Sequence, residues 1–340
     1  MFKKTLAFDD VLLIPQRSDI ESRREVSLVS CIGTKTFTLP VISSPMDTVT
    51  EGEMCKHMAW SGGFGIVHRY NTIQEQVQIV GKATADGDDD FPAAAAVGVS
   101  SDLLPRAEAL VNAGAFLLCI DVAHGHHANV ERALKSLKDK FGNSVNIMAG
   151  NVATAEAFLD LEDWGADVIR VGVGGGSICS TRIQTGHGIP TLHSVIVCSA
   201  AATRATIVAD GGIKNAGDAV KCFAAGADFV MLGSLLAGTD ESPGDVLKKP
   251  GGEKHKVYRG MASVEAQIEW RGRASSLEGV STTVPYKGPV GNILADLGQN
   301  IKSGLSYSGA RNLKEFRTKS QMIVQTASGM RESFTHILSK

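Results

Sequence analysis

Eight short apolar runs recur between residues 40 and 233, and segments of helical character separate them. Runs of this length that are apolar almost throughout are typical of parallel strands covered on both faces. The chain is therefore expected to build a parallel sheet with helices packed against it. The predicted strands are residues 40–44, 63–68, 94–99, 115–122, 145–152, 167–173, 206–210 and 228–233.

Helical segments alternate with these strands, among them residues 129–141, 154–164 and 215–225. Each begins with capping residues and ends near a glycine or an acidic turn. Eight strand–helix units in about 200 residues predict an α/β fold, the (β/α)8 TIM barrel. A doubly wound open sheet is the alternative, but it usually has fewer strands and one dominant glycine-rich first turn, which this sequence lacks.

The barrel is expected to occupy about residues 37–245 of a single domain that spans residues 1–340. The N-terminal arm that precedes it contains residues 8–13, which could pack beneath the barrel. Residues 250–290 are polar, rich in glycine and irregular in their apolar pattern, which suits a mobile flap after strand 8. Residues 291–340 would form a C-terminal helix and a tail.

Polar and glycine-rich motifs follow most of the predicted strands. Active sites of (β/α)8 barrels lie at the carboxyl ends of the strands, so these motifs are expected to face one site. The motifs are residues 43–47 (SSPMD), 68–69 (HR), 121–126 (DVAHGH), 150–151 (GN), 174–182 (GGGSICSTR), 210–212 (DGG) and 233–234 (GS).

Residues 171–182 combine four glycines with Cys179 and Arg182. Dense glycines expose backbone N–H and C=O groups to a ligand or an ion. Backbone donors and a nearby arginine favour the thiolate of Cys179, which could attack an electron-poor ring carbon of a bound nucleotide. Thr181 and, from the flap, Glu278 could relay protons. The alternative is a mobile surface loop with an incidental cysteine, and a Glu278 that is merely solvated.

Glycines after the seventh and eighth strands predict a phosphate site. Residues 210–212 and 233–234 stand where these barrels hold phosphate on backbone N–H groups and a helix N-terminus. Ser177 could add a hydroxyl group, whereas the acidic Asp210 suits a ribose diol better. Tight turns alone would also explain these glycines.

The charge balance argues against a nucleic-acid binder, because 34 basic and 36 acidic residues give a net charge of −2. The apolar runs are too short to cross a bilayer, and acidic residues follow the N-terminus too soon for a signal peptide. We therefore expect no nucleic-acid or membrane partner. Six scattered cysteines indicate neither disulfides nor a zinc site, which favours reduced thiols and a cytoplasmic location.

Several conspicuous side chains are assigned no chemistry. Four histidines lack metal-ligand spacing and are expected to form hydrogen bonds at the rim. The remaining cysteines are expected to be packing residues, and so are the three tryptophans, which show no stacking arrangement. These residues are His68, His124, His126 and His127, then Cys31, Cys55, Cys119, Cys198 and Cys222, then Trp60, Trp164 and Trp270.

Five segments carry motifs that are specific in combination: residues 39–50 (LPVISSPMDTVT), 148–154 (MAGNVAT), 174–182, 209–213 (ADGGI) and 258–263 (YRGMAS). Together they resemble the IMP dehydrogenase/GMP reductase family, and the resemblance runs from Phe8 to about Thr318. It implies a tetrameric (β/α)8 barrel that binds a purine nucleotide monophosphate, GMP or IMP, with its C2 atom near Cys179.

The resemblance also implies a role for individual residues. Cys179 would be the nucleophile, and Thr181 and Glu278 the proton-handling pair. Substrate would be held by Ser44, Ser177, Asp210, Gly211, Gly212, Gly233, Ser234, Tyr258, Gly260, Met261, Ser263 and Arg273. The nicotinamide cofactor would meet Asp121, Val122 and Ala123, and a neighbouring subunit's cofactor would meet Ser22, Arg23, Ser303 and Ser306. K⁺ would bind backbone carbonyls of Gly174, Gly176, Cys179 and Arg182, in a loop where Gly175 replaces the family's usual proline.

Two activities of this family fit the resemblance. The dehydrogenase oxidises IMP with NAD⁺ to XMP and activates water with an Arg-Tyr pair in a long flap. Here residues 262–277 contain no Arg-Tyr. We also expect no regulatory CBS pair, which is usual in the dehydrogenase although some dehydrogenases lack it. Residues 120–125 (IDVAHG) also favour the reductase, which converts GMP to IMP and ammonia with NADPH. Residues 43–47 and 329–333 (GMRES) read more like a dehydrogenase.

Two further hypotheses fit the same motifs. A barrel that binds purine nucleotides without turnover would use the same phosphate site. A flavin barrel would also hold its phosphate on glycine-rich loops. We favour the reductase among these four.

Overall fold

A computed structural model describes residues 4–84, 92–274 and 278–333 of the chain. Parts of the predicted flap (275–277) and of the predicted tail (334–340) lie outside the described residues. The strands are β1 (Val11–Leu13), β2 (Ser30–Ile32), β3 (Lys35–Phe37), β4 (Val41–Ser43), β5 (Phe64–Val67), β6 (Ala93–Val97), β7 (Ala115–Asp121), β8 (Asn146–Val152), β9 (Val168–Val171), β10 (Thr206–Asp210), β11 (Phe229–Leu232), β12 (Leu247–Lys248), β13 (Lys254–Arg259), β14 (Ser281–Pro285) and β15 (Met322–Val324).

The helices surround the strands and connect most of them. They are α1 (Gly52–Trp60), α2 (Ile73–Thr84), α3 (Leu103–Asn112), α4 (Ala128–Phe141), α5 (Ala155–Asp163), α6 (Thr181–Thr185), α7 (Thr191–Ala201), α8 (Ala216–Ala224), α9 (Val264–Arg271), α10 (Val290–Ser306), α11 (Leu313–Lys319) and α12 (Ala327–Glu332), with 3₁₀ turns at Phe8–Asp10 and Arg23–Glu25. No helix among the described residues is both long and apolar enough to cross a membrane.

Strands β4 to β11 close into a parallel barrel, since β11 returns to pair with β4. One face of each strand points into the barrel and the other packs against the helices, so both faces are buried. This explains why the strands are apolar almost throughout. In β9, Val168 belongs to the cluster inside the barrel, whereas Ile169 packs in the outer layer beneath the helices. The predicted (β/α)8 barrel is confirmed, and the ends of the eight predicted strands differ from the observed ends by two residues at most.

Local sequence also sets the helix starts. The side chains of His127, Thr154 and Asn215 cap α4, α5 and α8 by accepting hydrogen bonds from backbone N–H groups of the first turn. Two of these caps coincide with the predicted helix starts. The cap of α4 lies two residues before the predicted start at Asn129.

The amino-terminal end of the barrel is closed by the β2–β3 hairpin. The ring of Phe37 lies 4.8, 5.9 and 5.6 Å from those of Phe64, Phe116 and Phe229, centroid to centroid. These rings fill the barrel below its inner apolar layer.

The prediction that residues 8–13 pack beneath the barrel is wrong, because the β2–β3 hairpin occupies that space. Strand β1 instead pairs with β15 near the C-terminus. Phe8 is buried beside Gly212, in the loop after β10, and its carbonyl accepts a hydrogen bond from Lys221 of α8. The arm therefore supports the carboxyl end of the barrel.

An insertion between β11 and α10 forms the cap of the barrel. It contains the antiparallel sheet β12–β13–β14 and the helix α9. The chain then enters α10, which packs against α8 and α1 and completes the ring of helices. The described part of the segment predicted to be a flap thus forms strands and a helix, and its mobility stays a prediction.

Glu162 is a buried carboxylate that fixes the entry to β10. It accepts hydrogen bonds from the backbone N–H groups of Thr203, Arg204 and Ala205, with the shortest at 2.6 Å. Burial favours the neutral acid, but these hydrogen bonds outweigh it and lower the pKa of Glu162. The ionised side chain therefore stabilises the folded state.

Glu162→Gln is expected to lower the free energy of unfolding by about 2 kcal/mol at neutral pH, because an amide group cannot accept all of these bonds. Since the folded pKa lies below the unfolded value of 4.5, the contribution is present above that value and is lost as the pH falls through the folded pKa. Urea unfolding of both proteins at several pH values checks this. Glu156→Gln, an exposed change on the same helix, is the control; an equal loss there, or a pH-independent gap, would contradict the account.

Candidate active site

A cavity of about 500 Å³ opens at the carboxyl ends of the strands, under the cap. Its size suits a small organic ligand. Most of the residues predicted for the site line it, from both the barrel loops and the cap. They are Ser44, Asp121, Val122, Ala123, Gly174, Gly176, Ser177, Cys179, Thr181, Asp210, Gly211, Gly212, Gly233, Ser234, Tyr258, Gly260, Met261 and Glu278.

Cys179, Thr181 and Glu278 form a hydrogen-bonded chain at the wall of this cavity. The Cys179 thiol lies 3.1 Å from Thr181 Oγ1 and donates to it. Thr181 Oγ1 in turn donates to Glu278 Oε2 at 2.9 Å. A carboxylate at the end of such a chain can accept the thiol proton through the threonine hydroxyl. The three groups predicted to act together are therefore in contact.

Backbone pairing explains why Glu278 reaches the cysteine loop. Ser180 N–H donates to the Glu278 carbonyl at 2.9 Å, and Val280 N–H donates to the Ile178 carbonyl at 3.0 Å. Gly279 lies between these bonds, where a Cβ atom would come within 2.7 Å of Ser263 N. The backbone of residues 278–280 in the cap therefore pairs with the backbone of residues 178–180, which places Glu278 beside the cysteine loop. Residue 279 must be a glycine because a side chain there would collide with Ser263.

The glycines of the cysteine loop allow it to pack against the loop after β10. A Cβ at Gly212 would lie 2.9 Å from the Gly175 carbonyl, and one at Gly172 would collide with the Asp210 carbonyl. Gly212 also adopts a positive φ of 80°. A side chain at Gly175 would meet Thr191 Oγ1. The two glycine motifs are thus one packed unit rather than independent turns.

Tyr258 reaches the cavity between the glycine loops. Its hydroxyl lies 3.4 Å from Ser177 Oγ and next to Gly233, where an added Cβ would approach within 3.0 Å. Burial raises the pKa of Tyr258, so its hydroxyl is protonated at neutral pH and can donate to an anion. Hydroxyl and N–H donors converge here, which suits a phosphate group.

An arginine beneath the cavity joins two carboxylates. Arg170 Nη1 lies 2.6 Å from Asp121 Oδ1, and Nη2 lies 2.9 Å from Asp210 Oδ2. Burial would lower the pKa of Arg170, but the two aspartates raise it well above the ordinary value, so it is always charged. Asn151 also donates to Asp210 Oδ2, at 2.8 Å. This network fixes one Asp210 oxygen.

Among the cavity residues that were not predicted, six have polar or charged side chains: Arg69, Tyr70, Asn151, Arg170, Gln267 and Arg271. For Arg170 a signal existed, because a charged residue two positions after the inward Val168 must also point into the barrel. Arg69 and Asn151 belong to motifs that follow predicted strands. Nothing in the local pattern of α9 marks Gln267 or Arg271.

Seven predicted residues do not line the cavity: Ser22, Arg23, Arg182, Ser263, Arg273, Ser303 and Ser306. Ser263 is buried and caps α9, whereas Arg273 is exposed. The Arg182 guanidinium donates to the Ile189 carbonyl at 2.9 Å.

The four residues expected to reach a neighbouring subunit do form a group of their own. Arg23 Nε donates to Ser303 Oγ at 2.8 Å, and Ser306 Oγ donates to the Ser303 carbonyl. Their role toward a second subunit stays a prediction.

Hydrogen bonds were predicted for four histidines, and the structure shows them for His68, His126 and His127; the last accepts from Asn129 N–H at 3.0 Å. His68 pairs with Glu51 at 3.1 Å, and His126 with Asp160 at 2.7 Å. Within residues 4–84, 92–274 and 278–333, no group of three or more His, Cys, Asp or Glu could hold a metal ion.

Four of the other cysteines are buried packing residues, and burial raises the pKa of their thiols: to about 12 for Cys55, Cys119 and Cys198, and well above the ordinary value for Cys222. The prediction for Cys31 is wrong, because it is exposed on the β2–β3 hairpin. Its position on the outward face of a two-stranded hairpin leaves nothing to cover it.

The tryptophan prediction is wrong for two residues. Trp60 is 58% exposed, and its ring contacts that of His57 edge to face. Trp270 stacks on Tyr70. These partners are distant in sequence or at a helix end, so no local pattern indicates them.

The geometry defines a (β/α)8 barrel with a cysteine, a hydroxyl and a carboxylate in line beside an anion site. A family model described as the IMP dehydrogenase / GMP reductase domain matches residues 5–336. An inosine-5'-monophosphate dehydrogenase of Nitrosopumilus maritimus is 34% identical, with 98% of each chain covered. A GMP reductase of Leishmania major is 33% identical, with 98% of this chain and 97% of the relative covered.

A solved structure of a GMP reductase variant from Trypanosoma brucei, in complex with guanosine 5'-monophosphate, superposes with a TM-score of 0.93 at 31% identity. It covers 98% of both chains. The chain therefore belongs to the IMP dehydrogenase/GMP reductase family, whose members are oxidoreductases of purine metabolism that use a nicotinamide cofactor. These relatives give no support to a barrel without catalytic activity.

Proposed function

We propose that this protein is a GMP reductase, which converts GMP to IMP and ammonia with NADPH through a covalent bond between Cys179 and purine C2. The observation that carries the proposal is the chain from the Cys179 thiol through Thr181 to Glu278. It supplies a nucleophile and a route for protons. The sequence of the cap supports the same proposal, because residues 262–277 contain no Arg-Tyr pair that could activate water.

The residues would act in the following order. The thiol proton passes through Thr181 to Glu278 as sulfur bonds to C2 of GMP. The protonated carboxyl then returns a proton to the 2-amino group, which leaves as ammonia. The dinucleotide, when bound, supplies the hydride that replaces sulfur at C2. IMP and the Cys179 thiolate result, and a proton from water passes through Glu278 and Thr181 to restore the Cys179 thiol and the Glu278 carboxylate.

The cavity lining supports the placement of both ligands. Phosphate would lie against Ser177, Tyr258 and the glycines after β10 and β11, and Asp210 would hold the ribose with its second oxygen. The nicotinamide would face Asp121 to Ala123 at the end of β7. The carbonyls of Gly176 and Arg182 accept backbone hydrogen bonds from Cys179 and Gly186, and the second lone pair of each oxygen could bind K⁺. A homotetramer in the cytoplasm completes the proposal.

IMP dehydrogenase is the second candidate, and one observation favours it. Arg271 lines the cavity, and its guanidinium lies 5.7 Å from the centre of the Tyr70 ring. An arginine and a tyrosine are thus close together in the cavity, although they are not adjacent in sequence. Such a pair could orient and activate water if IMP and NAD⁺ were the substrates.

The two candidates predict opposite results in a paired assay. With GMP and NADPH, a reductase is expected to consume NADPH and release equal amounts of IMP and ammonia. With IMP and NAD⁺, it should form XMP at less than about 1% of that rate, since a missing general base typically costs 10²-fold or more. Absorbance at the NADPH band and chromatography of the purines provide the measurement. Strong XMP formation without GMP-dependent oxidation of NADPH would establish the dehydrogenase instead.

A further inference from the structure

The end of helix α9 is attached to the barrel by an aromatic contact. The ring of Trp270 stacks on that of Tyr70, with centroids 6.0 Å apart and planes inclined by 18°. The guanidinium groups of Arg69 and Arg271 lie 5.5 and 5.7 Å from the centre of the Tyr70 ring. Stacked rings and cation–π contacts attract each other, so these four residues hold the cap to the loop after β5.

Few side chains of this helix are buried. Only Ala266 and Gln267 of α9 are buried, and Val264 and Ile268 are 37% and 50% exposed. Its other charged attachment is the ion pair between Glu269 and Arg259, at 2.6 Å. Glu269 is 68% exposed, and exposed ion pairs contribute little to stability. The position of α9 therefore depends on the Tyr70–Trp270 contact.

This contact lies next to the strand end that faces the cofactor in the proposed function. Arg69, Tyr70 and Arg271 line the cavity. Arg69 donates from Nε and Nη2 to the Asp121 carbonyl, at 3.2 and 3.1 Å. The same cluster thus touches the cap on one side and the end of β7 on the other.

We propose that the Tyr70–Trp270 stack is a latch that holds α9 over the dinucleotide half of the cavity. Tyr70 and Trp270 are positioning residues: they set the affinity for the dinucleotide through the cap, while the mononucleotide is held by the glycine loops and Tyr258. The inference rests on the proposed function only for which half of the cavity the dinucleotide occupies.

The test begins with a protein that carries Trp60→Phe and Trp164→Phe, which leaves Trp270 as its single tryptophan. Acrylamide quenching of its fluorescence is measured with no ligand and with GMP plus NADP⁺, a pair that cannot react. Adding the pair is expected to reduce quenching. In Tyr70→Ala the quenching constant should rise and no longer respond to the pair, whereas Tyr70→Phe should behave like the parent, since it keeps the ring.

Steady-state kinetics supply the second readout. Tyr70→Ala is expected to raise KM for the dinucleotide about tenfold, the size of a lost aromatic contact, and to change KM for the mononucleotide less than about twofold. A merely structural role would move both constants or neither. Tyr286→Ala removes a tyrosine of the cap that lies outside the cavity, and it should change neither constant.

Two outcomes would overturn the latch: quenching in Tyr70→Ala equal to that of the parent, or a rise in KM shared equally by both substrates. Failure of the proposed function gives a different result, namely a parent protein that does not oxidise NADPH with GMP. The quenching experiment does not need turnover, and KM can be measured for whichever dinucleotide reacts. The latch is therefore tested in either case.

Discussion

Cys179→Ala is expected to lower kcat by about 10⁴-fold or more in whichever direction the enzyme works, while the mononucleotide still binds. The loss should be this large because no other group can form the bond to C2. The thiol lies at the cavity wall, and it is the group that Thr181 and Glu278 contact through the hydrogen-bonded chain. Binding should survive, because the phosphate and ribose are held by other loops.

Two measurements on the same protein check this prediction: kcat by the paired assay, and the rise in melting temperature on adding GMP. Bound GMP stabilises the folded protein by RT ln(1 + [L]/Kd), so at the same GMP concentration and an unchanged Kd the shift should equal that of the parent. Cys31→Ala is the matched control, since Cys31 is exposed on the hairpin that closes the opposite end of the barrel. Turnover within tenfold of the parent in Cys179→Ala would eliminate the covalent mechanism.

The sequence predicted the barrel well because each strand carries its own signal. A run such as β6 is buried on both faces, so its burial is visible in the composition of the run itself. The strand ends followed from the polar motifs at the rim. The N-terminal arm could not be placed in the same way, because nothing in residues 8–13 indicates at which end of the barrel they pack. The β2–β3 hairpin occupies the amino-terminal end, which the sequence did not indicate either.

The sequence predicted those site residues that belong to a local motif. It did not predict those that come into contact only because distant segments of the chain fold together. Cys179 and Thr181 lie in one glycine-rich loop, and the resemblance added Glu278. Trp270 and Tyr70 meet only because the cap folds back onto the loop after β5. A contact between side chains 200 positions apart in the chain leaves no periodic pattern in the sequence. The sequence therefore predicted fewer of the residues that line the cofactor half of the cavity.

Arg170→Met is expected to produce the largest loss of stability, about 3–5 kcal/mol, because it leaves two carboxylates without their buried counter-charge. The side chain of Arg170 is only 7% exposed, and it holds Asp121 and Asp210 on opposite sides. Mutual repulsion should then displace both aspartates. Since Asp210 would hold the ribose and Asp121 lies at the cofactor end, affinity for both ligands should fall together.

Arg106→Met separates the two effects. Arg106 is also buried, and it pairs with Asp102 and hydrogen-bonds Gln76, but it lies outside the cavity. Both variants should unfold at lower urea concentration, yet only Arg170→Met should weaken GMP binding, measured by calorimetry at a temperature where both are folded. Unchanged affinity in Arg170→Met would mean that the aspartates are placed by their own strands. A joint loss would mean that one guanidinium beneath the cavity sets the geometry of the substrate and cofactor sites at once.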